Sequence, residues 1–162
     1  MADLRRICEE AGFAGVRTYL QSGNAVFATT APAERAAGEL QRRLGEQCGY
    51  DVDVVVRTRA ELDDDIARCP YDTTVDPTKL VVWFSSVPID ATAVSADPAA
   101  FGHETFAIDG RVIYLWLPDG QAESQLLKQL MREKVLRGVT GRNWRTVTAL
   151  AGMAAEVGGA PD

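Results

Sequence analysis

The chain has 162 residues, 46% hydrophobic and 25% charged, with 17 Lys and Arg against 23 Asp and Glu and a formal net charge of −6. That balance is ordinary for one or two soluble globular domains, and a chain of this length buries roughly two-thirds of its unfolded surface without disulfides or a structural metal. A single histidine, His103, and three widely spaced cysteines exclude multi-histidine metal sites, paired-cysteine zinc sites and thioredoxin-like redox motifs.

No apolar run approaches the roughly 18 residues of a membrane span, and Met1 to Arg6 lack the apolar stretch of a secretory signal, so the expected location is the cytoplasm. Cys8 and Cys48 continue apolar stripes and read as buried, inert thiols. Cys69, just before Pro70, is the one expected to be exposed.

Leu4, Ile7, Cys8 and Ala11 have the spacing of an amphipathic helix that stops at Gly12. Two β-prone stretches follow, Val16 to Leu20 and Asn24 to Thr29, joined as a hairpin by Gln21-Ser22-Gly23. Pro32 suits the first turn of a second helix, carried by Ala33, Ala37, Leu40, Leu44 and Cys48 and closed by Gly49. The alternating segment Val52 to Val56 predicts a strand, and Thr58 with Glu61 has capping-box spacing for a helix running to Pro70.

Tyr71 to Lys79, rich in Asp, Thr and Pro, reads as a linker and domain boundary. Beyond it, Leu80 to Val87 predicts a strand apolar on both faces, and Ala91 to Phe101 a weakly helical segment. Glu104 to Ile108 and Arg111 to Leu117 flank Asp109-Gly110, the signature of a type I′ hairpin turn. Leu126, Leu127, Leu130, Met131 and Val135 mark a helix ending at Gly138; Val139 to Trp144 is extended, and Val147, Leu150, Ala151 and Ala154 mark a last helix before a frayed tail, residues 158–162.

The second half therefore reads β-α-β-β-α-β plus a final helix, the ferredoxin-like order, and the first half reads the same with its first strand missing. The expected fold is α+β, with ferredoxin-like halves at residues 1–70 and 79–157. Lacking that first strand, the Val52 to Val56 segment is expected to have no proper neighbour for its backbone groups.

Tyr19-Leu20-Gln21-Ser22-Gly23-Asn24-Ala25-Val26-Phe27 and Arg142-Asn143-Trp144-Arg145-Thr146-Val147 are similar to two motifs of the family called domain of unknown function 1697. The resemblance extends over nearly the whole chain, to about Glu156. It implies two ferredoxin-like halves and no reaction, cofactor or catalytic residue. Family members carry a strand and loop ahead of the first helix, so the resemblance also implies that Met1 is an internal methionine taken as the start.

Several segments are candidate sites. Gln21, Ser22, Gly23 and Asn24 offer amides, a hydroxyl and backbone N–H groups to a polar or anionic ligand, although turn chemistry alone also accounts for Gly and Asn there. Residues 128–145 hold Lys128, Arg132, Lys134, Arg137, Arg142 and Arg145 against Glu133, a net charge of +5, which leaves −11 for the remainder. Tyr114 and Trp116, and Trp83 with them, are candidates for an open aromatic sheet face, more often an interface than a base-stacking platform. His103 reads as a solvated loop residue, and Asp63-Asp64-Asp65 as an exposed helix face.

The sequence as a whole points to a small binding module. Its expected ligand site combines Gln21, Ser22 and Asn24 with Arg142, Asn143, Trp144 and Arg145: amides orient a polar ligand, arginines take an anionic group, and the indole supplies a wall. No cofactor, metal or membrane is expected, nucleic acid is disfavoured by the overall acidity, and a homo-oligomer through the aromatic face is allowed. The alternatives are a phosphate-handling or hydrolytic enzyme, and a binder of RNA or single-stranded nucleic acid.

Overall fold

The computed structural model describes residues 1–74 and 76–158. Among these it contains five α-helices and two antiparallel sheets, a mixed α/β architecture. The chain divides into two compact units: Met1–Asp64 joined by the chain's end from Ala149, and Asp65–Thr148.

The first unit begins with α1 (Ala2–Glu10), which buries Ile7 and Cys8 as the periodicity predicts. A hairpin follows, β1 (Ala14–Tyr19) paired antiparallel with β2 (Asn24–Ala28), irregular in register between Ala14 and Arg17. Helix α2 (Ala33–Cys48) starts after Pro32 and ends at Gly49, whose φ of 79° closes it in the left-handed conformation that glycine adopts without penalty. Ile7, Cys8, Phe13, Val16, Ala36 and Leu40 form the core, with Phe13 stacked on Phe27 at 4.3 Å. Cys48, expected to be buried, is exposed: the apolar stripe of α2 meets the core through Ala36, Leu40 and Leu44 but does not extend to its last residue.

The strand expected at Val52 to Val56 does not form. Val54 packs against the same core as Ala25 and Phe27, but no backbone–backbone hydrogen bond joins residues 52–56 to any other described segment. Side-chain alternation places a segment against a core, whereas a strand also needs a neighbouring backbone. The capping box that follows is formed: the Thr58 N–H donates to Glu61 Oε2 at 2.8 Å and the Glu61 N–H to Thr58 Oγ1 at 3.2 Å. They start α3 (Arg59–Ala67), within which the boundary between the units falls.

The second unit is built on a four-stranded sheet of β3 (Leu80–Phe84), β4 (Thr105–Asp109), β5 (Val112–Trp116) and β6 (Thr140–Asn143), in the order β4-β5-β3-β6 with every neighbour antiparallel. All five residues of β3 are buried, as an apolar run without alternation predicts. Val81, Trp83, Ile113, Leu115 and Phe106 line one face and meet Leu126, Leu130 and Leu136. Register pairs Val82 with Tyr114 and Trp83 with Ile113, so Trp83 lies on the sheet face opposite Tyr114 and Trp116, a correction to the expected aromatic group.

Local chemistry explains three further departures. The β4–β5 turn is Gly110-Arg111, since Asp109 pairs with Val112, and only Gly110 has a positive φ, the pattern of a type II′ turn. Residues 91–101 form two short 3₁₀ turns, each capped by its own aspartate: Asp90 accepts from the Thr92 N–H and Asp97 from the Ala99 N–H. Helix α4 (Gln125–Leu130) ends early, and a 3₁₀ turn at Lys134–Leu136 follows. Leu136, six residues after Leu130, would leave the buried stripe of a continuous helix, so burying it requires the chain to turn.

The last helix, α5 (Trp144–Gly158), buries Trp144, Thr146 and Val147 in its first turn. The tail expected at 158–162 lies, beyond Gly158, outside the described residues. Among the described residues no helix is long and apolar enough to cross a membrane.

Candidate functional site

In the first unit the hairpin loop runs Leu20-Gln21-Ser22-Gly23 between the paired residues Tyr19 and Asn24. Gln21 and Ser22 are exposed. Asn24 is buried, and its Nδ2 donates to the Tyr19 carbonyl at 3.0 Å and to Ser22 Oγ at 2.9 Å, so its amide closes the loop from inside. Leu20 has a φ of 57°, a conformation rare for a bulky residue, with its side chain half in solvent.

In the second unit β6 and the start of α5 carry the other expected residues. Arg142 pairs in register with Val82, and its Nη1 donates to Thr140 Oγ1 and to the Gly141 carbonyl, both at 2.7 Å. Burial holds its guanidinium below the usual arginine value. Asn143 Oδ1 accepts from the Thr146 N–H at 2.9 Å, satisfying an amide of the first turn of α5. Trp144 is 6% exposed, so its indole presents no wall to a ligand. Arg145 is exposed and, with Lys79, helps hold Asp76 below the usual carboxylate range, after the larger effect of hydrogen bonds from the Thr78 hydroxyl and N–H.

The aromatic face is closed. Tyr114 is 1% exposed and its hydroxyl donates to the Asp65 carbonyl at 2.6 Å, while Trp116 is half-buried with Tyr71 tilted against it at 6.3 Å. Asp65, expected in an exposed acidic face, is buried: it accepts from Arg68 at 3.2 Å, and Arg68 also pairs with Asp109 at 3.1 Å. His103 is exposed. Among the described residues no three His, Cys, Asp or Glu side chains gather to hold a metal ion.

Charge is distributed unevenly. Arg5, Arg6, Arg17, Arg42, Arg43, Arg59 and Arg68 each have a carboxylate partner. Lys128, Arg132, Lys134 and Arg137 are exposed, and among the described residues none has a carboxylate within 4.0 Å. Glu133, the one acid of this stretch, is held elsewhere, accepting at Oε1 from the Ser95 N–H at 3.2 Å and from Ser95 Oγ at 2.5 Å. Met131 lies among these cations, 72% exposed. The helical stripe that predicted Met131 as core ended with α4 at Leu130, and periodicity carries no signal for that ending.

A shallow cavity of about 630 Å³ lies along α2, lined by Gly38, Arg42, Gly45, Glu46 and Tyr50 among others. Arg42 there is neutralised by Glu39 at 2.9 Å and Glu46 at 2.7 Å, so the cavity offers a ligand little charge.

The model of the family described as "Protein of unknown function (DUF1697)" matches residues 1–114, more than half of the chain, and so includes the Tyr19–Phe27 segment but not Arg142–Val147. No curated protein matches the chain. Among solved structures it is similar to the conserved bacterial protein SP0830 from Streptococcus pneumoniae, at 17% identity and a TM-score of 0.76, over 95% of this chain and 88% of that one. At that identity the likeness bears on the fold alone.

Proposed function

The chain belongs to the DUF1697 family of proteins of unknown function, and from that premise we propose that it is a small binding module for anionic partners, with its recognition surface on the second unit. The observation that carries this reading is the set of exposed, unneutralised cations Lys128, Arg132, Lys134 and Arg137, beside an acid, Glu133, that is tied to Ser95. Arg5, Arg6, Arg17, Arg42, Arg43, Arg59 and Arg68 are each ion-paired, whereas this unneutralised set leaves a local positive field.

Arg145 and the half-buried Arg142 extend the charge toward α5, and Asn143 acts as their support by capping that helix. Gln21 and Ser22, exposed at the hairpin of the first unit, are in this proposal a separate set of polar contacts. The proposed fold class is two ferredoxin-like halves; in the second unit the order β4-β5-β3-β6, with β3 between β5 and β6, supports it. The burial of Tyr114 disfavours a base-stacking reading of the sheet.

Inorganic tripolyphosphate, titrated into the full chain while thermal unfolding is followed, tests the reading. A dose-dependent rise in Tm is expected, because a ligand that binds only the folded state stabilises it by mass action. The rise should shrink between about 50 mM and about 300 mM salt, as contacts between exposed charges are screened. It should also fall sharply in a Lys128→Ala, Arg132→Ala, Arg137→Ala variant. No rise, or a rise unchanged in that variant, overturns the proposal.

A further inference from the structure

We infer that the surface formed by Lys128, Met131, Arg132, Lys134 and Arg137 docks an acidic protein segment carrying an aliphatic side chain, an inference that rests on the anion-binding reading above. Lys128 lies in the last turn of α4, Arg132 follows two residues beyond its end at Leu130 in a turn where its N–H donates to the Gln129 carbonyl, and Lys134 and Arg137 continue the charge through the next 3₁₀ turn. Glu133, the one carboxylate of residues 128–145, is hydrogen-bonded to Ser95, so the cations keep their capacity for an external anion.

Three features favour a protein segment over a nucleic acid. The stretch 128–145 carries +5 while the rest of the chain carries −11, so a long polyanion that overruns the patch meets repulsion. A short acidic segment stays within the Debye length of about 8 Å that limits exposed charges at physiological salt. The side chain exposed among the cations is the thioether of Met131, a flexible apolar contact suited to an aliphatic partner. Trp144 and Tyr114 are buried, so this unit offers neither ring as the stacking platform that single-stranded binders use.

Fluorescence anisotropy of the full chain with three labelled probes of equal charge tests the inference: an oligoglutamate, a peptide alternating Glu and Leu, and an oligothymidine. The Glu/Leu peptide should bind about tenfold tighter than the oligothymidine, an advantage built on both charge and apolar contact. Lys128→Glu with Arg132→Glu should abolish binding of all three, whereas Met131→Ser should reduce the Glu/Leu peptide to the affinity of oligoglutamate. Equal or tighter binding of the oligothymidine, or a Glu/Leu advantage untouched by Met131→Ser, overturns the inference. Tripolyphosphate stabilisation that persists alongside such a result would leave the anion-binding reading standing, and its loss would remove both.

Discussion

The hydroxyl of Tyr114, on the central strand β5, donates a 2.6 Å hydrogen bond to the main-chain carbonyl of Asp65, in the last turn of α3. Carbonyls in the last turn of a helix have no following turn to pair with, and here the Cys69 N–H goes to Ile66 instead. A buried phenol therefore closes a helix end and at the same time finds the partner that its burial demands. Burial is also the main reason its acidity is suppressed well beyond the usual tyrosine range.

Removing that hydroxyl should cost stability without changing the packing of the ring. Tyr114→Phe is expected to lose about 1–3 kcal/mol, the range for leaving a buried acceptor without its donor. Thermal or urea unfolding of the variant checks it, and a stability equal to that of the parent chain would show that the bond contributes nothing net.

The strained position in the hairpin loop predicts the opposite sign. Leu20 holds a left-handed backbone, which costs a bulky L-residue about 1–2 kcal/mol, and its half-exposed side chain returns little packing. Leu20→Asn should raise the unfolding temperature by about 1–3 °C, given about 2–4 °C per kcal/mol for a chain of this size. A lowered Tm would mean that the leucine side chain has a contact worth more than the strain.

Residues 52–56 should betray their missing ladder in hydrogen exchange. Without backbone partners among the described residues, their amides are expected to exchange within the fast phase, while Val81 to Trp83 on the buried strand β3 exchange by global opening. Mass-spectrometric exchange of peptides covering both segments makes the comparison. Equal protection would show a pairing that this structure does not contain.

The site residues were legible in the sequence to different degrees. Polar chemistry and their place in the two family-like segments marked Asn24 and Asn143, yet both side chains serve the backbone, one closing a hairpin and the other capping a helix. Trp144 was marked by its chemistry and proved buried. The cationic stretch from Lys128 to Arg137 was visible as a count of charges, but whether those charges are neutralised depends on which carboxylates lie within about 4 Å, the range of an ion pair.

By itself, the sequence determined what periodicity and local chemistry control: the amphipathic faces of α1 and α2, the Thr58–Glu61 capping box, the β1–β2 hairpin and the fully apolar β3. Only the tertiary structure decided which groups meet across long separations: Tyr114 with Asp65, Ser95 with Glu133, Trp83 on the face away from Tyr114, and Val52 to Val56 without a ladder. The physical reason is range. Side-chain spacing and caps act over about four residues, whereas sheet pairing, burial of a polar group and neutralisation of a charge depend on what the rest of the chain brings alongside.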